Sequence, residues 1–176
     1  MRVSELKKVI REVPDFPKPG ILFYDVSTLF RDPVAFRLTV DKLEERFRGE
    51  KIDALAAIEA RGFVVAAALA YRMEVGLVLI RKKGKLPYET EAESYALEYG
   101  EATLEIHRDA VSEGERCVII DDVLATGGTA AAAGRLIERL GGTIEAYAFM
   151  IELGFLEGRR LLGDANVFSL IRYDKG

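Results

Sequence analysis

Arg116-Cys117-Val118-Ile119-Ile120-Asp121-Asp122-Val123-Leu124-Ala125-Thr126-Gly127-Gly128-Thr129 is the stretch around which this chain is organised. Residues 118–120 are a short apolar run, the pattern of a strand buried on both faces. The run ends on two adjacent carboxylates, which a buried strand does not carry without partners. Small residues follow, and then Ala133, Leu136, Ile137 and Leu140 recur at helical spacing until Gly141-Gly142 stops the helix. The expected unit is a strand that delivers two acids to its carboxyl end, beside the N-terminus of a helix. The first amides of such a helix have no intrahelical acceptor, and the macrodipole adds positive potential, so the junction suits a phosphate group. Gly127 and Gly128 let the backbone come close, Thr126 and Thr129 offer hydroxyls, and Asp121 and Asp122 can accept hydrogen bonds from vicinal sugar hydroxyls. A phosphorylated sugar is the ligand this junction calls for. It is neither a Walker loop nor a dinucleotide fingerprint, since neither glycine spacing occurs.

At 176 residues the chain is long enough to bury a full core, and the expectation is a single domain spanning 1–176. Apolar residues make up 49% and charged residues 31%, an ordinary globular balance. A net charge of −4 argues against nucleic acid or an anionic membrane as the main partner. The single cysteine, Cys117, excludes an internal disulfide and opens a buried strand, so it is read as a small core residue and not a nucleophile. No apolar segment has spanning length and the N-terminus carries no secretory apolar region, so a cytoplasmic protein is expected.

Outward from the central stretch, apolar runs alternate with helical patterns. Ser4 can cap a short first helix striped by Leu6, Val9, Ile10 and Val13. Three prolines and a glycine in 14–20 then interrupt regular structure. Residues 21–24 read as a short extended run and 25–31 as irregular. Asp32-Pro33 opens a helix, with Phe36, Val40, Leu43 and Phe47 on one face. Residues 54–58 and 77–80 read as buried strands, separated by a helix striped with Phe63, Ala66, Ala67 and Ala70. After the central unit, 143–151 and 166–171 read as strands around a short helix at 156–162. Alternation of this kind predicts an α/β fold: a mainly parallel sheet flanked by helices, with right-handed crossovers and ligands at the strands' carboxyl ends.

The other informative residues also follow strands. Glu59-Ala60-Arg61-Gly62 places a guanidinium fork, suited to phosphate oxygens, at a strand-to-helix junction. After Ile80, Arg81-Lys82-Lys83-Gly84-Lys85 opens a long stretch of low apolar content; such loops tend to be lids or binding loops, and its cations suit a polyanionic substrate. Residues 95–99 and 103–106 alternate as half-buried strands. In the first of these, Glu98 is the candidate for proton chemistry, although on residue type alone Glu101 and Glu105 are its equals. His107, the only histidine, is read as a surface residue.

Residues 118–129 resemble, without a gap, the phosphoribosyl-pyrophosphate signature of the type I phosphoribosyltransferases. Phe16-Pro17-Lys18-Pro19-Gly20-Ile21-Leu22-Phe23-Tyr24-Asp25, Glu59-Ala60-Arg61-Gly62-Phe63, Ile80-Arg81-Lys82-Lys83-Gly84-Lys85-Leu86-Pro87, Ser94-Tyr95-Ala96-Leu97-Glu98-Tyr99-Gly100 and Glu152-Leu153 resemble the adenine-specific branch of that family, in order along nearly the whole chain. The resemblance implies a small N-terminal hood over about residues 1–31 and a mobile loop over about 81–101. It implies conversion of adenine and 5-phosphoribosyl-1-pyrophosphate into AMP and pyrophosphate by a homodimer. Magnesium (Mg2+) would be carried by substrate and water, with no direct protein ligand. Carried over by position, Ala125, Thr126, Gly127, Gly128 and Thr129 hold the 5′-phosphate, and Asp121 and Asp122 the ribose hydroxyls. Arg61 and Lys85 meet the pyrophosphate, and Arg81 reaches a neighbouring subunit's site. The Leu22 carbonyl and Tyr24 N–H read the adenine edge, Phe23 and Leu153 pack on its faces, and Glu98 faces N7. Tyr24 departs from the arginine or lysine usual in the family. That departure keeps open another purine base, such as hypoxanthine or xanthine, and the fold is also shared by sensors of phosphoribosyl pyrophosphate.

Overall fold

Strands that are apolar on both faces must be covered on both, and the two purest runs of this chain lie side by side at the centre of a layered sheet. The computed structural model describes residues 1–97 and 100–175. In chain order the elements are β1 (Arg11–Pro14), β2 (Leu22–Asp25), α1 (Ser27–Arg31), α2 (Pro33–Phe47), β3 (Ala54–Ile58), α3 (Arg61–Met73), β4 (Gly76–Lys82), β5 (Thr90–Ala96), β6 (Glu101–His107), β7 (Arg116–Leu124), α4 (Gly128–Arg139), β8 (Thr143–Leu153) and β9 (Val167–Tyr173). Turns of 3₁₀-helix occupy Val3–Lys8, Gly154–Leu156 and Gly158–Leu162.

The main sheet has seven strands in the order β5-β6-β4-β3-β7-β8-β9. β4, β3, β7, β8 and β9 run parallel, while β6 joins β4 antiparallel and β5 joins β6 antiparallel. Every residue of β3 is buried. The strand period of two sends Leu55, Ala57, Val118 and Ile120 into the core shared with α1, α2 and α3, and Ala54, Ala56, Ile58 and Ile119 into the core shared with α4. The fold is thus α/β, a mainly parallel sheet flanked by helices. No helix among the described residues is long and apolar enough to cross a membrane.

Local signals explain several boundaries. Asp32 caps α2 by accepting from the amides of Val34 at 2.9 Å and Ala35 at 3.0 Å, with Pro33 at the first helical position; such a cap contributes about 1 kcal/mol. α3 ends on Glu74 in the left-handed conformation.

Elsewhere the structure corrects the sequence reading. Ser4 does not cap the first turn, which begins from Arg2. Val13 lies not on a helix but in β1, paired with Phe23 of β2 in a separate two-stranded ribbon. The span 25–31, expected to be irregular, contains α1. Ala67 is exposed, and the buried stripe of α3 runs instead through Val65, Ala66, Leu69 and Ala70. β4 is buried on one face only: Val78 and Ile80 are buried while Leu77 and Leu79 are about 40% exposed. Much of the expected loop at 81–101 is regular, because β4 continues through Lys82 and β5 takes up Thr90–Ala96. Two 3₁₀ turns replace the expected helix at 156–162.

Candidate active site

β3 crosses over through α3 to β4 on one side and β7 through α4 to β8 on the other, so a crevice opens at the carboxyl ends of β3 and β7. A cavity of about 800 Å³ occupies that crevice. Its walls come from Ile21, Leu22, Phe23 and Tyr24 of the ribbon, Glu59, Ala60 and Arg61 after β3, Lys82 and Lys85, Asp121 to Val123 with Ala125 and Thr129, and Leu153 and Leu156 after β8. Tyr95, Leu97, Ala102 and Leu104 of the β5–β6 hairpin complete them. Of the residues expected from sequence, Leu22, Phe23, Tyr24, Arg61, Lys85, Asp121, Asp122, Ala125, Thr129 and Leu153 therefore meet at one place. Thr126, Gly127 and Gly128 belong to the same loop and helix start but are not among the residues lining the cavity. Arg81 is not part of the lining, and Glu98 lies outside the described residues.

The acid pair sits inside β7, whose register with β8 pairs Asp121 with Phe149. Asp122 is 4% exposed, and Arg61 donates through Nε to its Oδ2. Burial works against the charge on Arg61, but Asp122, then Asp121 and Asp25, outweigh it and raise its pKa. Asp121 accepts from the Asp122 amide at 2.8 Å. Burial, and next the neighbouring Asp122 carboxylate, push its pKa well above the usual carboxylate range. A carboxyl whose proton affinity is displaced by burial and a specific charged neighbour marks a candidate site of binding or chemistry. Gly62 permits this approach: a β-carbon there would stand 2.9 Å from the Ile120 carbonyl oxygen and 3.1 Å from Asp121 Oδ1.

The turn at 125–127 leads into the start of α4, the segment expected from sequence to receive an anion. Gly127 precedes α4 with φ +89°, a left-handed conformation that favours glycine. Its Cα side is pressed against Gly158, whose carbonyl oxygen would lie 2.3 Å from an added β-carbon. Thr129 donates its hydroxyl to the Tyr95 phenol oxygen at 3.0 Å.

At the ribbon end of the cavity, the ring of Phe23 packs edge-on against Phe16 at 5.2 Å and lies 5.6 Å from the Arg61 guanidinium. Tyr24 is buried, and its ring stacks on Tyr173 of β9 at 4.1 Å, fastening the ribbon to the main sheet. Burial, then Glu12, raises the Tyr24 pKa; burial, then Tyr24, pushes Tyr173 up to about 12, so both rings stay neutral.

Sequence reasoning missed several residues here. Glu59 anchors Arg81, accepting from Nη2 at 2.8 Å and from the Lys82 amide at 3.0 Å. The hydrogen bond from Arg81 holds the Glu59 carboxyl below its usual range. Glu152, 3% exposed, gathers Arg159, Arg172 and Ser169 behind Leu153. Its pKa is lowered because these partners overcome the penalty of burial. Gly158 had no local signal at all, since its role is a contact made 31 residues from Gly127. Cys117 is buried, and burial pushes its thiol up to about 12, so it stays a neutral core residue.

Comparison with known proteins follows the same lines. A profile of the phosphoribosyl transferase domain matches residues 26–159. The adenine phosphoribosyltransferase of Koribacter versatilis is 53% identical over 172 residues, covering 98% of this chain and 94% of its own length. The crystal structure of adenine phosphoribosyltransferase from Thermoanaerobacter pseudethanolicus superposes with a TM-score of 0.95 at 50% identity, covering 98% of this chain and 100% of that one. The enzyme from Saccharomyces cerevisiae, complexed with D-2,5-dideoxy-2,5-imino-altritol 1,6-bisphosphate and adenine, superposes with a TM-score of 0.90 at 44% identity, covering 96% and 97%.

Proposed function

The chain belongs to the adenine phosphoribosyltransferases of the phosphoribosyl transferase family, and from that premise we infer that it joins adenine to 5-phosphoribosyl-1-pyrophosphate, yielding AMP and pyrophosphate. One observation carries the reading: a single cavity is bounded by the turn and helix start proposed as the anion cradle, a carboxylate pair, three cations and an apolar base slot. These match the 5′-phosphate, the ribose hydroxyls, the pyrophosphate and the purine in the order in which the substrate presents them.

The chemistry asks the protein for charge and dryness. As the bond from C1′ to the pyrophosphate oxygen breaks, C1′ gains oxocarbenium character and the leaving group gains charge. Arg61 and Lys85 stand on the side where that charge develops, and donors placed in advance act most strongly where water is excluded. N9 of adenine bonds to C1′, and the base gives up one proton. Glu98 is proposed to face N7 and take it, acting as the acid in reverse. Leu22 and Tyr24 offer a strand edge to the purine, with Phe23 and Leu153 on its faces.

Magnesium is part of this proposal, carried by pyrophosphate and water. In this reading Asp121 and Asp122 serve the ribose hydroxyls, with Asp122 also paired to Arg61, so the ion rests on substrate oxygens and water. Bound, the ion would neutralise phosphate charge and assist departure of the leaving group.

A homodimer is proposed as well. Leu77, Leu79 and Arg81 alternate onto one face of β4, opposite the buried Val78 and Ile80. Val64 and Tyr71 are exposed on the adjacent α3, Tyr71 at 85%. An apolar patch of this sort suits a second copy of the chain, which would bring Arg81 towards a partner's pyrophosphate. The cytoplasm is the compartment this reading assigns, since its charged substrates do not cross membranes unaided and a free Cys117 fits a reducing environment.

The deciding assay measures product formation from phosphoribosyl pyrophosphate with adenine, hypoxanthine, guanine and xanthine, with and without a chelator. AMP formation that needs a divalent cation is expected. Turnover of another purine, or of none, would overturn the assignment.

A further inference from the structure

We propose that Tyr95 is a ligand of the 5′-phosphate, a hydroxyl donor contributed to the cradle by the β5–β6 hairpin; this rests on the reading of residues 125–129 as the phosphate site. Tyr95 lines the cavity with Ala125 and Thr129, and its phenol oxygen accepts from the Thr129 hydroxyl at 3.0 Å. Thr129 supplies the hydrogen of that bond, so the phenol hydrogen is left for a further acceptor. The ring is equally close to the backbone: a β-carbon on Gly128 would lie 3.3 Å from Tyr95 Cδ2. A phenol at this distance from the first turn of α4 stands where an anion bound to that turn would be met.

The hairpin is held there by the helix that makes the cradle. Strand alternation puts Glu93 and Tyr95 on the same face of β5, towards α4. Glu93 accepts from Arg135 and Arg139, and Arg139 also donates to the Ala92 carbonyl at 2.8 Å. Those hydrogen bonds, Arg135 first, keep the Glu93 carboxyl below its usual range and therefore charged. Two arginines of α4 thus fix the strand two residues before Tyr95, and the phenol and the helix N-terminus hold a constant relation. Glu93 is accordingly a positioning residue and Tyr95 the one that touches substrate.

Tyr95→Phe keeps the ring and removes only the hydroxyl. Calorimetric titration would use ribose 5-phosphate, which carries the phosphate and hydroxyls, and separately pyrophosphate, whose proposed site is at Arg61 and Lys85. The expected result is about tenfold weaker binding of ribose 5-phosphate, the scale of one hydrogen bond to a charged group, with pyrophosphate affinity unchanged and the melting temperature lowered by no more than the few degrees that loss of the Thr129 bond accounts for. An unchanged or tighter affinity for ribose 5-phosphate would overturn the proposal. Equal weakening of both ligands would also overturn it, marking Tyr95 as a structural residue. Should the wild-type protein itself bind no ribose 5-phosphate, the cradle reading fails, and Tyr95's role falls with it.

Discussion

Gly127 and Gly158 close on each other so tightly that neither tolerates a side chain: a β-carbon on Gly127 would lie 2.3 Å from the Gly158 carbonyl oxygen, and one on Gly158 would lie 2.2 Å from that of Ala125. The cradle is therefore shaped from behind by the 3₁₀ turn Gly158–Leu162, which Arg159 ties to buried Glu152.

Gly158→Ala should displace the turn at 125–127 although Gly158 is not among the residues lining the cavity. Overpacking of this kind costs about 1–3 kcal/mol. Both denaturant stability and ribose 5-phosphate affinity should fall, the latter by at least about tenfold. Gly127→Val would suffer the same collision, in addition to blocking the phosphate. Normal affinity in Gly158→Ala would show that the cradle keeps its shape without this contact.

Asp121→Asn should stabilise the free protein at neutral pH while weakening its hold on ribose. Asp121 has a raised pKa, caused first by burial and then by Asp122. The unfolded chain thus releases this proton at lower pH than the folded one, and stability is lost as pH rises from the ordinary carboxylate range through the raised value. Asparagine removes that loss and keeps an oxygen to accept from the Asp122 amide. A melting temperature a few degrees higher at pH 7 is expected, the advantage vanishing below the ordinary carboxylate range. Scans of both proteins across pH would show it, and an advantage that persists undiminished in acid would contradict it.

Glu98→Gln should bind adenine normally yet turn over about 10²–10⁴ times more slowly, the usual effect of losing a positioned proton acceptor. Binding by titration and kcat by product formation separate the two. Near-normal kcat would leave Glu98 an ordinary surface acid.

Arg81→Ala and Asp122→Asn are expected to be inactive for different reasons, one lacking a cation given in trans and the other a ribose contact in cis. Mixed under subunit exchange, they should regenerate one intact site per heterodimer and recover part of the activity. In the protomer Arg81 donates to Glu59 and to the Lys85 carbonyl of its own chain. Exchanged heterodimers with no recovered activity would mean that this cis arrangement is its working one. Sedimentation of each variant verifies that dimers are intact.

The central unit of the fold was legible because its signals are local. Apolar runs at 54–58 and 118–120, helical spacing after Gly128 and the Asp32-Pro33 cap report on backbone conformation and burial within a few residues. The acid pair and the small-residue turn after it likewise announced a phosphorylated ligand before any contact was known. What the chain's order does not reveal is which distant segments meet. Val13 carries the same apolar side chain whether on a helix or in a ribbon, and its pairing with Phe23 made it a strand. Leu77 and Leu79 read as core, yet the sheet leaves their face of β4 uncovered in the protomer. The Arg61–Asp122 pair spans 61 residues, and the Tyr95–Thr129 bond spans 34. These contacts depend on sheet order and register, which bring strand ends together by long-range pairing, and periodicity along one segment holds no information about the segment that will lie beside it.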